Sequence, residues 1–281
     1  MSRTVYVNGD YVPEEEATVS VFDRGFTFGD GVYEVTAVLD GKLIDYEGHA
    51  NRLQRSLKEL GMKMPVTPDQ MLEIHRELVR RNDVAEGLVY LQVTRGAADR
   101  DFAYSDDLTP TLVLFTQAKK VSSVKAGIKV ISAPDIRWGR RDIKTVQLLA
   151  PCMLKMLAKK EGKDDAWMVE DGYVTEGTSN NVYIVTADDT IVTRNLSNSI
   201  LHGITRSAVL RLAKEQNMQV VERPFTIEEA QQAKEAFMTS ATAFVYPVVE
   251  IDGVKLHDGK PGAVSRRLGQ LYLEEGRKNA M

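Results

Sequence analysis

The sequence predicts a mixed α+β protein with two domains, and three observations support this prediction. The chain has 281 residues, enough for about two domains at roughly 100–200 residues each. Short strand-like runs joined by Asn-Gly and Asp-Gly pairs recur along the chain. Helical segments lie between these strands, and in the second half they accompany many short strands, which is typical of a barrel-like or mixed core.

Turn pairs delimit the first strands. Asn8-Gly9 divides residues 4–12 into a hairpin, because both residues tolerate the positive φ angles of a type I′ turn. Asp40-Gly41 has the same role between residues 31–39 and 42–46. The N-terminal part is therefore expected to begin with antiparallel hairpins.

Two helices are expected next. Residues 48–60 carry leucines at helical spacing, and Gly61 is a suitable residue to end the helix. Thr67 and Pro68 are a typical N-cap and first residue of a second helix. His75 is expected on the surface of that second helix.

A long polar loop is expected between the last two strands of the N-terminal part. Residues 88–94 and 111–116 are rich in β-forming side chains, whereas residues 95–110 are polar. Loops of this length in compact proteins are usually functional or mobile.

The second half contains more and shorter elements. Residues 121–125 are expected to link a domain of residues 1–120 to one of residues 126–281. Pro151 either kinks a helix predicted at 145–161 or marks its true start. The other predicted helices are 205–216, one from 227 and one from 261. The predicted strands are 128–132, 166–169, 173–175, 182–185, 190–193, 219–223, 235–239 and 245–251.

Charge and cysteine content exclude several classes of protein. The formal charge of −4 does not suit general nucleic-acid binding, which needs a basic surface. The single cysteine, Cys152, permits no intramolecular disulfide, so a reducing, cytoplasmic location is expected. Histidines and cysteine show no metal-ligand spacing, and we expect no metal site. No apolar run reaches the ~18 residues of a membrane span, and the first residues lack the apolar core of a secretory signal.

Several sequence blocks together resemble the class IV, or fold type IV, pyridoxal-phosphate-dependent aminotransferases. The blocks are RGFTFGDGVYEV at 24–35, DIRW at 135–138 with DIK at 142–144, EGTSNNVY at 176–183, IVT at 191–193, LHGITR at 201–206 and VEIDG at 249–253. They are most similar to the D-amino acid aminotransferase branch. The resemblance implies a two-domain architecture with a smaller N-terminal α/β domain and a C-terminal barrel-like α/β domain.

The resemblance also implies the reaction and the cofactor. Pyridoxal 5′-phosphate would form a Schiff base with Lys144, and an amino group would pass from a D-alanine-like donor to a 2-oxo acid such as 2-oxoglutarate or pyruvate. A surface lysine is the ordinary expectation for such a residue, and spacing alone could not have selected Lys144. The implied partners are these small molecules and a second copy of the chain in a homodimer.

The resemblance assigns the other site residues by position. Glu176 would pair with the pyridine nitrogen, although the residue alone could equally be a turn acid. Thr205 and Ile204 begin a helix whose N–H groups suit a phosphate, although a plain N-cap is the commoner role of such a threonine. Arg52 would clamp that phosphate. The remaining implied cofactor contacts are Ser179, Leu201 against the ring, and Thr242.

Substrate recognition departs from the family pattern. Tyr33 and Arg100 match the tyrosine and arginine that hold the α-carboxylate, and the Arg100 loop would reach the neighbouring subunit's site. Phe102 stands where a histidine is expected, which removes one donor. Ala241 stands where relatives often carry a threonine, which removes a hydroxyl from the phosphate loop. The other arginines that could bind the carboxylate are Arg95, Arg137, Arg140 and Arg141.

Three alternatives stay open. An aminodeoxychorismate lyase would use the same cofactor and lysine without net amino transfer, but the FGDGVYEV block and Arg100 argue against it. A transaminase for (R)-amines or branched-chain L-amino acids is a second alternative, and Phe102 is compatible with amines. A non-catalytic relative is the third, and the presence of Lys144, Glu176 and Arg52 argues against it.

Overall fold

The computed structural model describes residues 2–120 and 126–281 and forms two compact units. The first unit contains the described residues up to 120 together with Ile143–Gln147 and Arg277–Met281. The second contains residues 126–142 and Leu148–Gly276. Helices and sheets occur in both units, so the predicted mixed α+β class is confirmed. The predicted linker, residues 121–125, lies outside the described residues.

The first unit is a six-stranded antiparallel sheet with helices. Its elements are β1 (Thr4–Val7), β2 (Asp10–Pro13), α1 (Arg24–Phe28), β3 (Gly31–Leu39), β4 (Lys42–Leu43), α2 (Tyr46–Glu59), α3 (Pro68–Arg81), β5 (Gly87–Thr94) and β6 (Thr111–Ala118). The strand order is β2-β1-β6-β5-β3-β4. The turn pairs lie at the β1–β2 and β3–β4 hairpins, where Asn8 and Asp40 have φ angles of 48° and 52°.

Both predicted helices of this unit are present. The Thr67 side chain accepts a bond from the backbone N–H of Gln70, and the Gln70 side chain accepts one from the backbone N–H of Thr67. These two bonds form a capping box at the start of α3. The second expected strand of the 40–41 hairpin ends early, because α2 already begins at Tyr46. Apolar side chains of α2, α3 and β5 share one core, which includes Leu53, Leu78 and Val89.

The expected surface position of His75 is wrong. His75 is only 2% exposed, and its Nδ1 lies 2.7 Å from the carbonyl oxygen of Met71. Its ring also meets Tyr46 edge-on at 5.1 Å. Burial lowers the pKa of His75 to about 4, so the imidazole is neutral at pH 7. A neutral imidazole that is hydrogen-bonded to a backbone carbonyl of its own helix can be buried in the core at little cost.

The second unit contains a nine-stranded mixed sheet. Its elements are β7 (Ile128–Pro134), α4 (Leu149–Lys160), β8 (Asp165–Glu170), β9 (Tyr173–Gly177), β10 (Asn181–Val185), β11 (Ile191–Thr193), α5 (Ile204–Glu215), β12 (Val220–Glu222), α6 (Ile227–Gln231), β13 (Glu235–Ser240), β14 (Phe244–Ile251), β15 (Val254–Lys255), a 3₁₀ turn at His257–Gly259, and α7 (Ala263–Lys278). The strand order is β12-β11-β10-β13-β14-β7-β8-β9, and β15 pairs with β14. The β7–β8, β7–β14 and β11–β12 pairs are parallel and the others antiparallel.

Pro151 marks the start of its helix and does not kink it. Helix α4 begins at Leu149, so Pro151 occupies the first turn, where a missing N–H leaves no helical bond unmade. The residues before it, Ile143–Gln147, belong to the first unit. Val146 N donates to Gly31 O at 3.0 Å, and Tyr33 N donates to Lys144 O at 3.0 Å. This short segment therefore pairs with the first half of β3.

In the part of the chain that the structure describes, no helix is both long and apolar enough to cross a lipid bilayer.

Candidate active site

Lys144 presents an amine that no carboxylate of the described residues neutralises. The residue is half-buried, and its backbone is held by the pairing of residues 143–147 with β3. Its Nζ lies 4.0 Å from the centroid of the Tyr33 ring. It makes no ion pair with any residue between 2 and 120 or between 126 and 281. The structure thus brings together two predicted site residues, Lys144 and Tyr33, and leaves the amine available for chemistry.

Arg52 lies in a buried ion pair that the sequence did not predict. Its Nε and one terminal nitrogen each donate to Glu34 at 2.7 Å, and His49 Nδ1 donates to the same carboxylate at 2.7 Å. All three residues are at most 8% exposed. Burial alone would raise the pKa of Glu34, but the Arg52 guanidinium and the bonds from Arg52 and His49 lower that pKa to about 2. Glu34 therefore fixes the orientation of Arg52.

This pair predicts a specific acid sensitivity. The pKa of Glu34 is about 2 in the folded protein and about 4.5 when exposed, so its stabilising effect is complete above pH 4.5 and disappears as the pH falls through 2. A shift of this size corresponds to about 3 kcal/mol. We expect Glu34→Gln to lower the free energy of unfolding at pH 7, and the difference from wild type to shrink by about half at pH 3. Urea unfolding at the two pH values measures this.

Glu77 provides the control for that experiment. Its pKa is also about 2, because Arg80 and Arg81 donate to it, but solvent surrounds and screens these pairs. Glu77→Gln should change the free energy of unfolding little at either pH. A constant difference between Glu34→Gln and wild type from pH 7 to pH 3 would contradict the assigned pKa.

Glu176 is a buried carboxylate with three donors around it. It lies near the end of β9 and is 4% exposed. It accepts from an Arg137 guanidinium nitrogen at 2.5 Å and from Asn181 Nδ2 at 3.0 Å. The backbone N–H of Leu201 reaches both oxygens, at 3.2 and 3.1 Å. These three donors make four contacts, two on each oxygen, because the Leu201 N–H is shared between both oxygens.

Two opposing effects act on the Glu176 carboxyl. Burial raises the pKa of Glu176, and the Arg137 guanidinium and the Leu201 amide oppose that rise. Arg137 is itself held by Asp135, to which it donates at 2.9 and 2.7 Å. Burial lowers the pKa of Arg137, but Asp135 and Glu176 outweigh this effect and hold that pKa above its usual value. A carboxyl group whose pKa is raised by burial holds a proton more strongly than an exposed carboxyl group does.

The N-terminus of α5 leaves backbone donors open. Gly203 is the N-cap and has no side chain to bond the first-turn N–H groups of Ile204 and Thr205. A Cβ at Gly203 would lie 2.0 Å from Asn181 Oδ1, so glycine is required for this close approach. Asn181 Nδ2 also donates to Leu201 O at 2.9 Å, which connects Glu176 to the start of this helix. Such helix ends favour bound anions.

The other predicted cofactor contacts lie in the same unit. Thr205 is buried, and Leu201 and Ile204 are half-buried. Thr242 lies in the turn between β13 and β14, where Ser240 Oγ accepts from Ala243 N at 3.2 Å. Ser179 is exposed in the turn after β9. Among these predicted residues, Leu201 is bonded directly to Glu176.

Arg100 differs from its rivals because it has no carboxylate partner among the residues that the structure describes. Each rival pairs with acidic side chains: Arg95 with Asp30, Arg137 with Asp135 and Glu176, Arg140 with Asp142, and Arg141 with Glu170 and Asp135. Arg100 is exposed in the loop before β6 and makes no ion pair within the described ranges. Among these candidates, its guanidinium is the one open to a substrate carboxylate.

Three side chains have supporting roles that the sequence did not predict. Glu34 holds Arg52, while Arg137 and Asn181 hold Glu176. Glu34, Arg137 and Asn181 occur inside the sequence blocks already noted, so their presence there was the available signal.

The residues fit the needs of pyridoxal phosphate. Such a cofactor requires an amine, an acid for the ring nitrogen and donors for its phosphate. Lys144 supplies an amine that makes no ion pair with the described residues, and Glu176 supplies a buried carboxyl group with a raised pKa. The start of α5 offers backbone N–H groups. Each of these features is present within one or the other compact unit.

Comparison with known proteins identifies the family. The model of the family "Amino-transferase class IV" matches residues 31–251. The D-alanine aminotransferase of Staphylococcus epidermidis is 37% identical over 271 residues, which is 95% of this chain and 96% of that protein. The D-alanine aminotransferase of Bacillus licheniformis is 39% identical over 94% of both chains.

A solved structure supports the fold prediction. The structure of the T.th. branched-chain amino acid aminotransferase with pyridoxamine 5′-phosphate has a TM-score of 0.89 and 28% sequence identity. The match covers 98% of this chain and 94% of that one. The predicted type IV aminotransferase fold is therefore confirmed, and the chain belongs to the class IV aminotransferase family.

Proposed function

We propose that this aminotransferase moves an amino group between a D-amino acid such as D-alanine and a 2-oxo acid such as 2-oxoglutarate or pyruvate. One observation carries the choice of donor. Relatives that are 37–39% identical over at least 94% of this chain are D-alanine aminotransferases.

Pyridoxal 5′-phosphate is the proposed cofactor, and Lys144 would hold it covalently through Nζ. When bound, it supplies an electron-withdrawing ring that takes up the charge left by the departing α-proton of the amino acid. Once the amino group of the substrate has displaced Lys144 from the cofactor, the freed Nζ would move that proton. An amine without an ion-pair partner suits this role, because a carboxylate bound to it would keep it protonated.

Glu176 would hold a proton at the pyridine nitrogen. Its burial and its raised pKa support this role. Leu201 would pack on the ring, since its backbone is already bonded to Glu176. The proposed phosphate ligands are Arg52, Ser179, Ile204, Thr205 and Thr242.

Tyr33 and Arg100 would bind the α-carboxylate of the substrate. The planar guanidinium can hold a carboxylate through two parallel bonds. We also propose that the chain acts as a homodimer in which the Arg100 loop serves the neighbouring site. The loop and its surroundings expose large apolar side chains, with Phe102 79% and Phe26 76% exposed, which is typical of an interaction surface.

Replacing Arg100 tests the carboxylate assignment. We expect Arg100→Ala to raise the KM for D-alanine by about 10²-fold, since a bidentate, charge-assisted contact is lost. Retention of bound pyridoxal phosphate should be unchanged. Arg140→Ala is the control, because Arg140 already pairs with Asp142. Steady-state kinetics with 2-oxoglutarate as acceptor measure both variants, and an unchanged KM for Arg100→Ala would assign the carboxylate to another residue.

Branched-chain L-amino acids are the second candidate donors. The similarity to the T.th. branched-chain enzyme over 98% of this chain favours this alternative. Its identity of 28% is lower than the 37–39% of the D-alanine enzymes, so it ranks second.

A donor panel separates the candidates. Purified protein loaded with pyridoxal phosphate is incubated with 2-oxoglutarate and, in turn, D-alanine, L-alanine, L-leucine and an (R)-amine. A separate sample receives aminodeoxychorismate. We expect pyruvate and glutamate from D-alanine. Turnover of L-leucine with none of D-alanine would move the protein to the branched-chain group. Pyruvate formed from aminodeoxychorismate alone would identify a lyase.

We also propose a two-domain organisation and a cellular location for the chain. The predicted domains, residues 1–120 and 126–281, each include most of one compact unit. A cytoplasmic location is proposed because the single cysteine, Cys152, allows no intramolecular disulfide.

A further inference from the structure

Arg24 is a buried arginine whose contacts extend to the loop that carries Arg100. It begins α1 and is 4% exposed. Its Nε donates to Asp30 at 2.9 Å, and a terminal nitrogen donates to the backbone carbonyl oxygen of Asp101 at 2.7 Å. Arginine is rarely buried without a partner for its charge, so these bonds explain its position.

Asp30 binds two guanidinium groups together. Arg95 Nε and a terminal nitrogen donate to it at 2.7 and 3.1 Å, and the same Arg95 also donates to Leu60 O at 2.9 Å. Burial alone would raise the pKa of Asp30, but the bonds from Arg95 and Arg24 hold it below its ordinary value. Asp30 is therefore ionised at neutral pH and keeps Arg24 and Arg95 in fixed positions.

Aromatic rings cover this cluster on the loop side. The Tyr104 ring lies 3.9 Å from the guanidinium carbon of Arg95 and 5.0 Å from that of Arg24. The Phe28 ring lies 4.4 Å from the guanidinium carbon of Arg24. Contacts of this kind between guanidinium groups and ring faces are attractive.

Arg100 lies near the same Phe28 ring and near the ring of Phe102. Its guanidinium carbon lies 5.4 Å from the Phe28 centroid and 5.8 Å from that of Phe102. The bond from Arg24 fixes the carbonyl of Asp101, which lies between Arg100 and Phe102 in the chain. Arg24 is thus linked to the Arg100 segment in two ways. It bonds the backbone carbonyl of Asp101 directly, and it shares the Phe28 ring with Arg100.

We infer that Arg24 is a positioning residue that sets the direction of the Arg100 side chain for binding a substrate carboxylate. This inference rests on the proposed function, which assigns the carboxylate to Arg100. Arg24 itself touches no substrate. Misplacement of a binding group by about 1 Å can reduce activity by roughly 10²-fold, so a loosened Arg100 should weaken substrate binding.

The test compares Arg24→Lys with Arg95→Lys. Lysine keeps a positive charge near Asp30 in both variants, but it lacks the planar fork that bonds two partners at once. Arg95 is the matched control because it shares Asp30 and Tyr104 but bonds Leu60 O, not the 100–102 segment. For Arg24→Lys we expect the KM values for D-alanine and 2-oxoglutarate to rise about 10- to 100-fold while kcat stays within about threefold. Arg95→Lys should lower Tm about as much as Arg24→Lys does, but it should change the two KM values little.

A double-variant cycle distinguishes positioning from general destabilisation. In an Arg100→Ala background, Arg24→Lys should change KM no further, because the group it positions is gone. Additive effects of the two substitutions, or an unchanged KM in Arg24→Lys alone, would overturn the inference. If Arg24→Lys does not fold, Phe28→Leu serves as the second variant, because it removes the ring that lies between Arg24 and Arg100. Phe28→Leu should also raise the KM for D-alanine. An unchanged KM in Phe28→Leu would overturn the inference.

The outcomes also separate this inference from the proposed function. Absence of D-alanine turnover in the wild-type enzyme would refute the proposed function. Normal turnover with an Arg100→Ala defect and no Arg24→Lys defect would refute the positioning role of Arg24 alone.

Discussion

Lys144→Ala is expected to lower the rate of transamination by about 10⁴-fold, the largest effect that we predict for this protein. The amine would be both the attachment point of the cofactor and the group that moves the α-proton, and positioned proton transfer alone contributes roughly 10²–10⁴-fold. The side chain is half-buried and makes no ion pair within the described ranges, so its loss leaves no carboxylate without a partner. Stability should therefore change little.

Lys160→Ala is the matched control for this prediction. Lys160 is exposed at the end of α4, and its truncation should leave turnover at the wild-type level. Borohydride treatment of the wild-type protein loaded with pyridoxal phosphate should attach the cofactor to the peptide that contains residue 144, as mass spectrometry can show. Full turnover by Lys144→Ala, or attachment at a different lysine, would refute the assignment.

The sequence predicted best those elements whose ends depend on local chemistry. Asn8-Gly9 requires only its own φ angles to form a turn, and the Thr67–Gln70 capping box closes within four residues. Their locations follow from the residues themselves. The start of α4 was left open, because deciding between a kink and a start at Pro151 required the pairing of residues 143–147 with β3.

Contacts between distant segments lay beyond sequence reasoning. Glu34 and Arg52 are 18 residues apart, and their pairing depends on how β3 and α2 pack. Similarly, His75 is a polar residue in the sequence of α3, but its bond to Met71 O and its contact with Tyr46 place it in the core. Periodicity reports which face of a helix is apolar and cannot report which polar side chain finds a partner inside.

The candidate site also combines features that the sequence predicts with contacts that only the fold reveals. A family resemblance selected Lys144, Glu176 and Arg100, whereas spacing alone would have left each of them among many similar residues. Choosing among the arginines depends on their partners, because four rivals pair with carboxylates and Arg100 makes no ion pair in the described part of the chain. Charge pairing across the fold, which no local pattern encodes, decides which guanidinium is open to a substrate.

Glu176→Gln is expected to have the second largest effect, a fall in kcat of roughly 10²- to 10³-fold, comparable to the loss of one preorganised electrostatic contact in other enzymes. The neutral amide cannot hold a proton at the pyridine nitrogen. Its nitrogen also cannot accept a bond, whereas Arg137, Asn181 and the Leu201 amide all donate to the carboxylate. At least one of these buried donors would lose its acceptor.

The same substitution should reduce stability moderately. Arg137 keeps its bonds to Asp135, so its charge stays paired, and we expect a loss of about 1–3 kcal/mol in the free energy of unfolding. Glu170→Gln is the control, because Glu170 also receives two bonds from an arginine, Arg141, but is more exposed. That variant should keep the wild-type kcat.

Three measurements then separate the role of Glu176 in the reaction from its role in folding. Turnover of D-alanine gives kcat, the absorbance of released pyridoxal phosphate gives its retention, and thermal unfolding gives stability. A large fall in kcat with the cofactor retained and Tm only moderately lower would support the acid role, because a folding defect alone would reduce all three together. Wild-type kcat in cofactor-loaded Glu176→Gln would show that the negative charge of residue 176 is not needed, and the buried Arg137–Glu176 pair would then be purely structural.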